Sequence, residues 1–276
     1  MAQETVMTIS EKEFNQLAGF VKRNYGINLG HEKKALVLSR LGNVLAQNDI
    51  QSFTQYFEYV ASDTSGDAMI TLLDKITTNH TFFMRETDHF DYLRNKGLPY
   101  FAASIANRDL RIWSAGCSSG EEPYTLAMII DEYFGEEKLK WNTRILATDI
   151  STSALDIAKR AEYTDEHLDA VPGDWKLRYF RKTGVERNIL IDKIRNEVVF
   201  RRFNLMEESF PFKRKFHSIY CRNVMIYFDT KTKQELVNKF YNFTEPGGYL
   251  FIGHSETLNN LKTEFKYVMP AVYRKE

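Results

Sequence analysis

The sequence predicts an α/β protein: a small all-helical N-terminal domain, then a doubly wound, mostly parallel sheet that carries an inserted small antiparallel β-subdomain. Three observations predict it. Apolar residues recur at helical spacing from Ser10 to about Lys75, with no strand-like alternation. From Leu110 onward, β-rich runs alternate with helical stretches, the pattern of a parallel sheet with crossover helices. The third is the stretch from Tyr163 to Arg202, too long for a simple crossover and carrying its own apolar runs.

The helical stretch opens with a capping box, Ser10 followed three residues later by Glu13. Four short helices follow, marked in turn by Phe14, Leu17, Ala18 and Val21; by Leu36, Leu38, Leu41 and Leu45; by Phe53, Tyr56, Phe57 and Val60; and by Met69, Ile70 and Leu73. The boundary is expected at the end of this run, giving a domain over 1–76 and a second over 77–276. Strands are expected at Leu110 to Ser114, Thr143 to Thr148, Glu197 to Phe203, Phe216 to Tyr220 and Tyr249 to Gly253, with a closing pair at Lys266 to Met269 and Val272 to Arg274. Helices are expected between them at about Glu122 to Tyr133, Thr152 to Glu162 and Thr232 to Phe243. The insert, at about 175–202, is expected to hold a hairpin in which Asn188 to Ile191 turns back into Val198 to Phe200.

Composition narrows the function classes. The 276 residues carry 37 Lys+Arg against 37 Asp+Glu, so the global electrostatic footprint of a nucleic-acid binder is absent. With 43% hydrophobic and 14% aromatic residues the chain can bury a core and is not disordered. Its two cysteines, Cys117 and Cys221, are too far apart to suggest a disulfide framework or a Cys-based metal site, and they fit a reducing cytoplasmic setting. No apolar run approaches the roughly 20 residues that span a bilayer, and the first residues lack a basic n-region, so neither secretion nor membrane insertion is expected.

The most informative stretch is Arg111-Ile112-Trp113-Ser114-Ala115-Gly116-Cys117-Ser118-Ser119-Gly120-Glu121-Glu122-Pro123. It reads as a buried strand, a loop of small residues, and a helix with Pro in its first turn. Free N–H groups at a helix start and a loop that lets a ligand approach suit a nucleotide-like molecule. The same residues also match G-x-S-x-G, with Ser118 as a nucleophile and His254 as its base. Against that hydrolase, the strand is the first after a helical domain, and Glu121 and Glu122 would oppose an oxyanion. Beside a cationic ligand they are an asset. A third reading is purely structural: Gly116 and Gly120 permit tight strand–helix packing. The second strand ends in Thr148-Asp149, where an acid accepts hydrogen bonds from ribose hydroxyls; the plainer role for Asp149 is capping the next helix. A dinucleotide such as NAD is disfavoured because Ser118 stands where that fingerprint needs glycine.

Taken with Thr77-Thr78-Asn79-His80-Thr81-Phe82-Phe83-Met84-Arg85-Glu86, Cys221-Arg222-Asn223-Val224-Met225-Ile226-Tyr227-Phe228 and Glu245-Pro246-Gly247-Gly248, these motifs closely resemble the CheR family along essentially the whole chain. Its members are bacterial chemotaxis receptor glutamate O-methyltransferases that use S-adenosylmethionine. The resemblance implies a class I methyltransferase sheet, glutamate methyl esters and S-adenosylhomocysteine as products, and no metal. The partner it implies is the cytoplasmic helical bundle of methyl-accepting chemotaxis receptors, met by a monomeric enzyme. It assigns the cofactor to Asn79, Thr81, Arg85, Ala115, Gly116, Glu122, Asp149, Asn204, Leu205, Arg222 and Asn223, with Arg85 and Tyr227 at the methyl end as the catalytic pair. Each assignment has a plainer alternative: core packing for Phe82, Phe83 and Phe228, a turn for Asn223, a surface ion pair for Arg222, and a hydrogen-bonded structural role for His254.

The basic residues Lys22-Arg23, Lys33-Lys34 and Arg40 are expected either to form a solvated helix face or, given an acidic helical partner, to dock it. Some family members also grip a receptor's terminal peptide with the insert. Here the turn expected at 191–197 lacks a glycine-rich loop, so that tether is not expected, although Arg187, Lys193 and Arg195 can still touch the receptor. A serine hydrolase and a non-catalytic cofactor-binding regulator remain as rival functions.

Overall fold

The computed structural model describes residues 7–77 and 80–276, and the chain divides into two compact units. One holds Met1–Asn79 with the short segment Tyr227–Asp229; the other holds His80–Ile226 and Thr230–Glu276.

In the first unit the four expected helices form: α1 (Glu11–Tyr25), α2 (Lys34–Gln47), α3 (Phe53–Ser62) and α4 (Asp67–Ile76). The capping box is complete, with Ser10 Oγ accepting from Glu13 N–H and Glu13 returning to Ser10 N–H. Gly26 then ends α1 in the left-handed region at φ 70°, which glycine adopts without penalty. Most of the predicted apolar stripe is core, with Phe14, Leu17, Val21, Leu41, Leu45, Tyr56, Val60 and Leu73 buried; on α2 the face is turned from the one expected, since Val37 and Val44 are buried while Leu36 is exposed and Leu38 half-buried. The segment 227–229 adds a small edge: Ile27 pairs with Phe228 in an antiparallel bridge, Asn28 N–H donates to Tyr227 O, and Lys22 pairs with Asp229 at 2.7 Å.

The second unit begins with helical turns missed by the periodicity, α5 (Thr87–Tyr92) and α6 (Leu98–Ser104), joined by one π-type turn over Leu93–Gly97. It continues through β1 (Ile112–Ala115), α7 (Glu121–Phe134), β2 (Ile145–Asp149), α8 (Thr152–Arg160), β3 (Glu162–Thr164), α9 (Gly173–Tyr179), β4 (Phe180–Gly184), β5 (Arg187–Leu190), α10 (Asp192–Arg195), β6 (Val198–Arg202), β7 (Phe216–Cys221), α11 (Thr230–Phe243), β8 (Thr244–Ile252), β9 (Lys266–Met269) and β10 (Val272–Arg274). The seven-stranded sheet runs β6-β2-β1-β7-β8-β10-β9, parallel from β6 to β8, with β10 antiparallel to both its neighbours. This is the class I methyltransferase arrangement. The order reverses between β1 and β7, so the crevice that ligands use in such sheets lies beyond the carboxyl ends of these strands.

The expected hairpin is corrected. β5 pairs with β4 and β3 in a separate three-stranded antiparallel sheet, whereas β6 joins β2 in the main sheet, Val198 beside Ile145 and Phe200 beside Ala147. The short α10 between β5 and β6 carries the chain from one sheet to the other, and burial of Val198 and Phe200 in the main core decides which sheet β6 joins. The hairpin turn lies at 184–187 and contains Gly184 and the left-handed Glu186 (φ 57°), not at 191–197.

Candidate active site

Four loops leave the carboxyl ends of β1, β2, β7 and β8, and backbone geometry ties them together. Thr148 O accepts from both Gly116 N–H (2.8 Å) and Cys117 N–H (2.9 Å), and the Asp149 carboxylate accepts from Ser118 N–H (2.8 Å) and Ser151 N–H (2.9 Å). Asp149 thus locks the first two loops together. The cap of α8 is Ser151, whose Oγ accepts from Ala154 N–H at 3.0 Å, so Asp149 joins the loops at the crevice and does not itself cap the helix. The glycines are explained by packing. A Cβ on Gly116 would meet Val224 Cγ2 at 2.4 Å, and one on Gly120 would meet Ala158 Cβ at 2.9 Å, both at positive φ.

From β7, Arg222 turns inward until its side chain is 3% exposed. Its guanidinium donates to Glu122 Oε2 (3.0 Å), to Glu86 Oε2 (3.1 Å) and to the carbonyl of Arg85, and it lies 5.1 Å over the Phe90 ring. Glu122 accepts in addition from Ser114 Oγ at 2.7 Å. Arg222 is therefore a buried ion pair rather than a surface one. Glu86 accepts further from Asn223 Nδ2 and from His254 N–H, both at 3.2 Å. Burial pushes its carboxyl up, but the Arg222 charge and these donated bonds outweigh that and hold its pKa below the ordinary glutamate value.

A second carboxylate, Glu256, closes the loop after β8. It accepts from Gly253 N–H (2.6 Å), Ile226 N–H (2.9 Å) and Asn223 N–H (3.1 Å), and burial pushes its pKa up against those three donors. Asn223 is thereby both a turn residue, at φ 59°, and a member of the polar cluster. Left-handed non-glycine residues gather here: Met84 (63°), Glu86 (57°), Ser118 (47°) and Asn223. Such strain persists where surrounding contacts over-determine the backbone, typically around ligand sites.

The other assigned residues distribute as follows. Ala115 ends β1 and Gly116 follows it. Asn204 and the buried Leu205 follow β6, next to the Asp149 loop, where Phe203 N–H donates to Asp149 O. Thr81 is half-buried in the irregular run before α5. Arg85 contributes its carbonyl to the cluster, while its guanidinium donates to His80 O at 2.8 Å. Tyr227 groups with the helical unit, and Asn79 lies outside the described residues. Phe83 and Phe228 are buried as expected of core residues, but Phe82 is 37% exposed. The paired acids part company: Glu121 is fully buried and accepts from Ser119 Oγ, and burial raises its pKa.

The hydrolase reading fails on geometry. Ser118 Oγ is buried without a hydrogen-bond partner among the described residues, and His254 Nε2 contacts Asp88, so Ser118 and His254 do not make the nucleophile–base bond that reaction requires. Burial raises the thiol pKa of both Cys117 and Cys221, leaving neither as an activated nucleophile.

Comparison with known proteins decides the family. Residues 79–273 match the CheR methyltransferase SAM-binding domain, and residues 12–77 match the CheR methyltransferase all-alpha domain. The chain belongs to the CheR methyltransferase family. A chemotaxis protein methyltransferase of Borreliella burgdorferi is 43% identical over 272 residues, covering 98% of this chain and 96% of the relative. Chemotaxis protein methyltransferase Cher2 of Pseudomonas putida is 36% identical over 95% of this chain and 96% of its own length. The Escherichia coli chemotaxis protein methyltransferase is 32% identical over 97% and 92%.

This CheR methyltransferase uses S-adenosylmethionine, and its donor set fits that molecule. The crevice carries carboxylates at Glu122 and Asp149 for a cationic, ribose-bearing ligand. The Ser118 and Tyr220 hydroxyls are buried without partners among the described residues, and the Tyr220 hydroxyl lies in the field of Glu122 and Arg222. The Tyr56 and Ser218 hydroxyls are likewise buried without a partner among the described residues, so the fit to the cofactor rests on the two carboxylates. Sequence reasoning assigned no role to Glu86 or Glu256. Both stand inside motifs already singled out, Glu86 directly after Arg85 and Glu256 two residues after His254.

Proposed function

We propose that this CheR methyltransferase is a protein-glutamate O-methyltransferase that esterifies glutamate side chains on the cytoplasmic helical bundle of chemotaxis receptors. The single observation that carries the reading is the convergence of Glu122, Arg222, Glu86 and Asp149 at the carboxyl ends of the parallel strands, in a chain whose relatives are named chemotaxis methyltransferases.

When bound, S-adenosylmethionine supplies a methyl group on a sulfonium. A receptor glutamate, with a pKa near 4.3, is already ionised at neutral pH and needs no general base. The work left to the protein is to bind, align and exclude water. In this reading Asp149 receives the ribose hydroxyls, Glu122 the amino group, and Arg222 the carboxylate of the cofactor's methionine end. Ala115, Gly116, Asn204, Leu205 and Thr81 line the remaining contacts, and the family resemblance adds Asn79. Arg85 orients the incoming carboxylate and Tyr227 restrains the methyl end. Replacing Tyr227 by Ala is expected to lower turnover while cofactor affinity stays within a few-fold; unchanged turnover overturns its role.

Receptor docking through the helical unit draws on fewer free cations than the sequence suggested. Lys22 pairs with Asp229, Lys34 with Glu11, and Arg40 donates to the carbonyls of Lys75 and Thr77. Arg40 therefore holds the end of α4. In the insert region, Lys193 is bound to Asp131 and Arg195 to Asp192, which leaves Arg187 as the better docking candidate. The test of the whole reading is transfer of labelled methyl from S-adenosylmethionine to a purified receptor cytoplasmic fragment. The expected product is a base-labile ester that releases methanol. Label that survives base, or no label at all, overturns glutamate methylation.

A further inference from the structure

Next to the Arg222 network, three side chains left over from the cofactor assignments converge. One donor atom from each of Glu86, His89 and His254 lies within 4.8 Å of the other two. His89, in the first turn of α5, is 0% exposed, yet neither of its ring nitrogens has a hydrogen-bond partner among the described residues. A buried imidazole without a partner is costly, so its placement calls for a group that the surrounding side chains do not supply. Its Nδ1 is 3.5 Å from Glu86 Oε2, and its ring meets that of His254 edge-on at 4.7 Å.

His254 reaches the cluster from the exposed side, where its Nε2 lies 3.0 Å from Asp88 Oδ1. A carboxylate on one ring nitrogen is the arrangement that orients the other nitrogen toward a metal and raises its basicity. The local charge also favours a cation. Glu86, Asp88 and Glu122 outnumber the guanidinium of Arg222, whose ion pairs are with Glu86 and Glu122.

We propose that Glu86, His89 and His254 form a binding site for a first-row divalent transition-metal ion, with Asp88 orienting His254. Two imidazoles and one carboxylate suit Zn2+, with a fourth position open toward the exposed side; Mg2+ and Ca2+, which prefer oxygen donors, are poor fits. Because Glu86 also holds Arg222 and Asn223, an ion here is coupled to the loop after β7.

The test uses the full chain freed of metal by chelation and dialysis. Zn2+ is titrated by calorimetry, and Co2+ is followed by its visible d–d absorption. One ion per chain is expected, with at least tenfold weaker binding in His254→Ala and about 10–100-fold weaker binding in Asp88→Asn. Both residues are partly exposed, so the variants are expected to keep the wild-type melting temperature to within a few degrees. His31→Ala, at an exposed histidine of the helical unit, is expected to bind like wild type. Absence of stoichiometric binding, or equal Zn2+ affinity in wild type, His254→Ala and Asp88→Asn, overturns the proposal.

Discussion

At the scale of the residue, the site is organised by one buried cation and the carboxylates that hold it. Breaking a buried ion pair by removing one partner costs about 3–5 kcal/mol, because the charge left behind is unpaired in a low dielectric. Arg222→Met, which leaves Glu86 and Glu122 facing each other, is expected to lose stability on that order, read from the midpoint of urea unfolding. Glu256 is a second such point. Replacing it with Gln keeps the volume but turns an amide N–H2 toward backbone N–H groups that now find an acceptor. A loss of about 1–3 kcal/mol is expected for that unsatisfied donor, measured in the same way. Neither acid's role was legible beforehand. Motif reading identifies which segments meet, and Arg222, Asn223, Glu122 and Asp149 come from it directly. Which carboxylate bridges two segments depends on side-chain directions that only the folded backbone sets, and Glu86 does so from a left-handed position no periodicity marks.

At the scale of the element, boundaries followed local chemistry where caps and strand ends are written in the residues. The Ser10–Glu13 capping box is one case, and Ser10→Ala is expected to cost about 1 kcal/mol in thermal or urea unfolding. The closing strands β9 and β10 form at the expected residues because the alternation there is short and bounded by turn residues. The hairpin assigned to β5 and β6 shows what period-2 patterning lacks: it identifies strands and not their partners. Strand entry also carries a pH signature. His217 Nδ1 on β7 accepts from Arg111 N–H at 3.0 Å, and burial, then the Arg111 charge, push its pKa down to about 4. In the unfolded chain the same imidazole titrates near 6.5. Between those values the unfolded state binds the extra proton, so this contribution is full above about pH 6.5 and is lost as pH falls toward 4. Stability is expected to decline across that window by up to about 1.4 kcal/mol per pH unit from this one group. His217→Gln, which keeps an acceptor, is expected to flatten that part of the profile.

At the scale of the whole molecule, the balance of 37 basic and 37 acidic residues conceals local imbalance. Acidic side chains gather at the crevice proposed for the cationic cofactor, while Lys22 and Lys34 of the helical unit are engaged in its own ion pairs. The two-unit organisation was readable from the change in apolar period. That the segment Tyr227–Asp229 returns to the helical unit was not, since that pairing is made by long-range contacts, among them the Ile27–Phe228 bridge, the Asn28–Tyr227 backbone hydrogen bond, the Lys22–Asp229 ion pair and Lys33 over the Tyr227 ring. For the cofactor, Asp149→Ala is expected to weaken S-adenosylmethionine binding by about 1.5–3 kcal/mol, the worth of a charge-assisted hydrogen bond, as measured by calorimetry. The central claim, that the crevice at the carboxyl ends of β1, β2 and β7 is the cofactor site, is tested most directly by a crystal structure of the protein with S-adenosylhomocysteine. The account predicts the ribose hydroxyls within hydrogen-bond distance of the Asp149 carboxylate and the amino group at Glu122. Density for the ligand elsewhere, with no ribose hydroxyl on the Asp149 carboxylate, would contradict it.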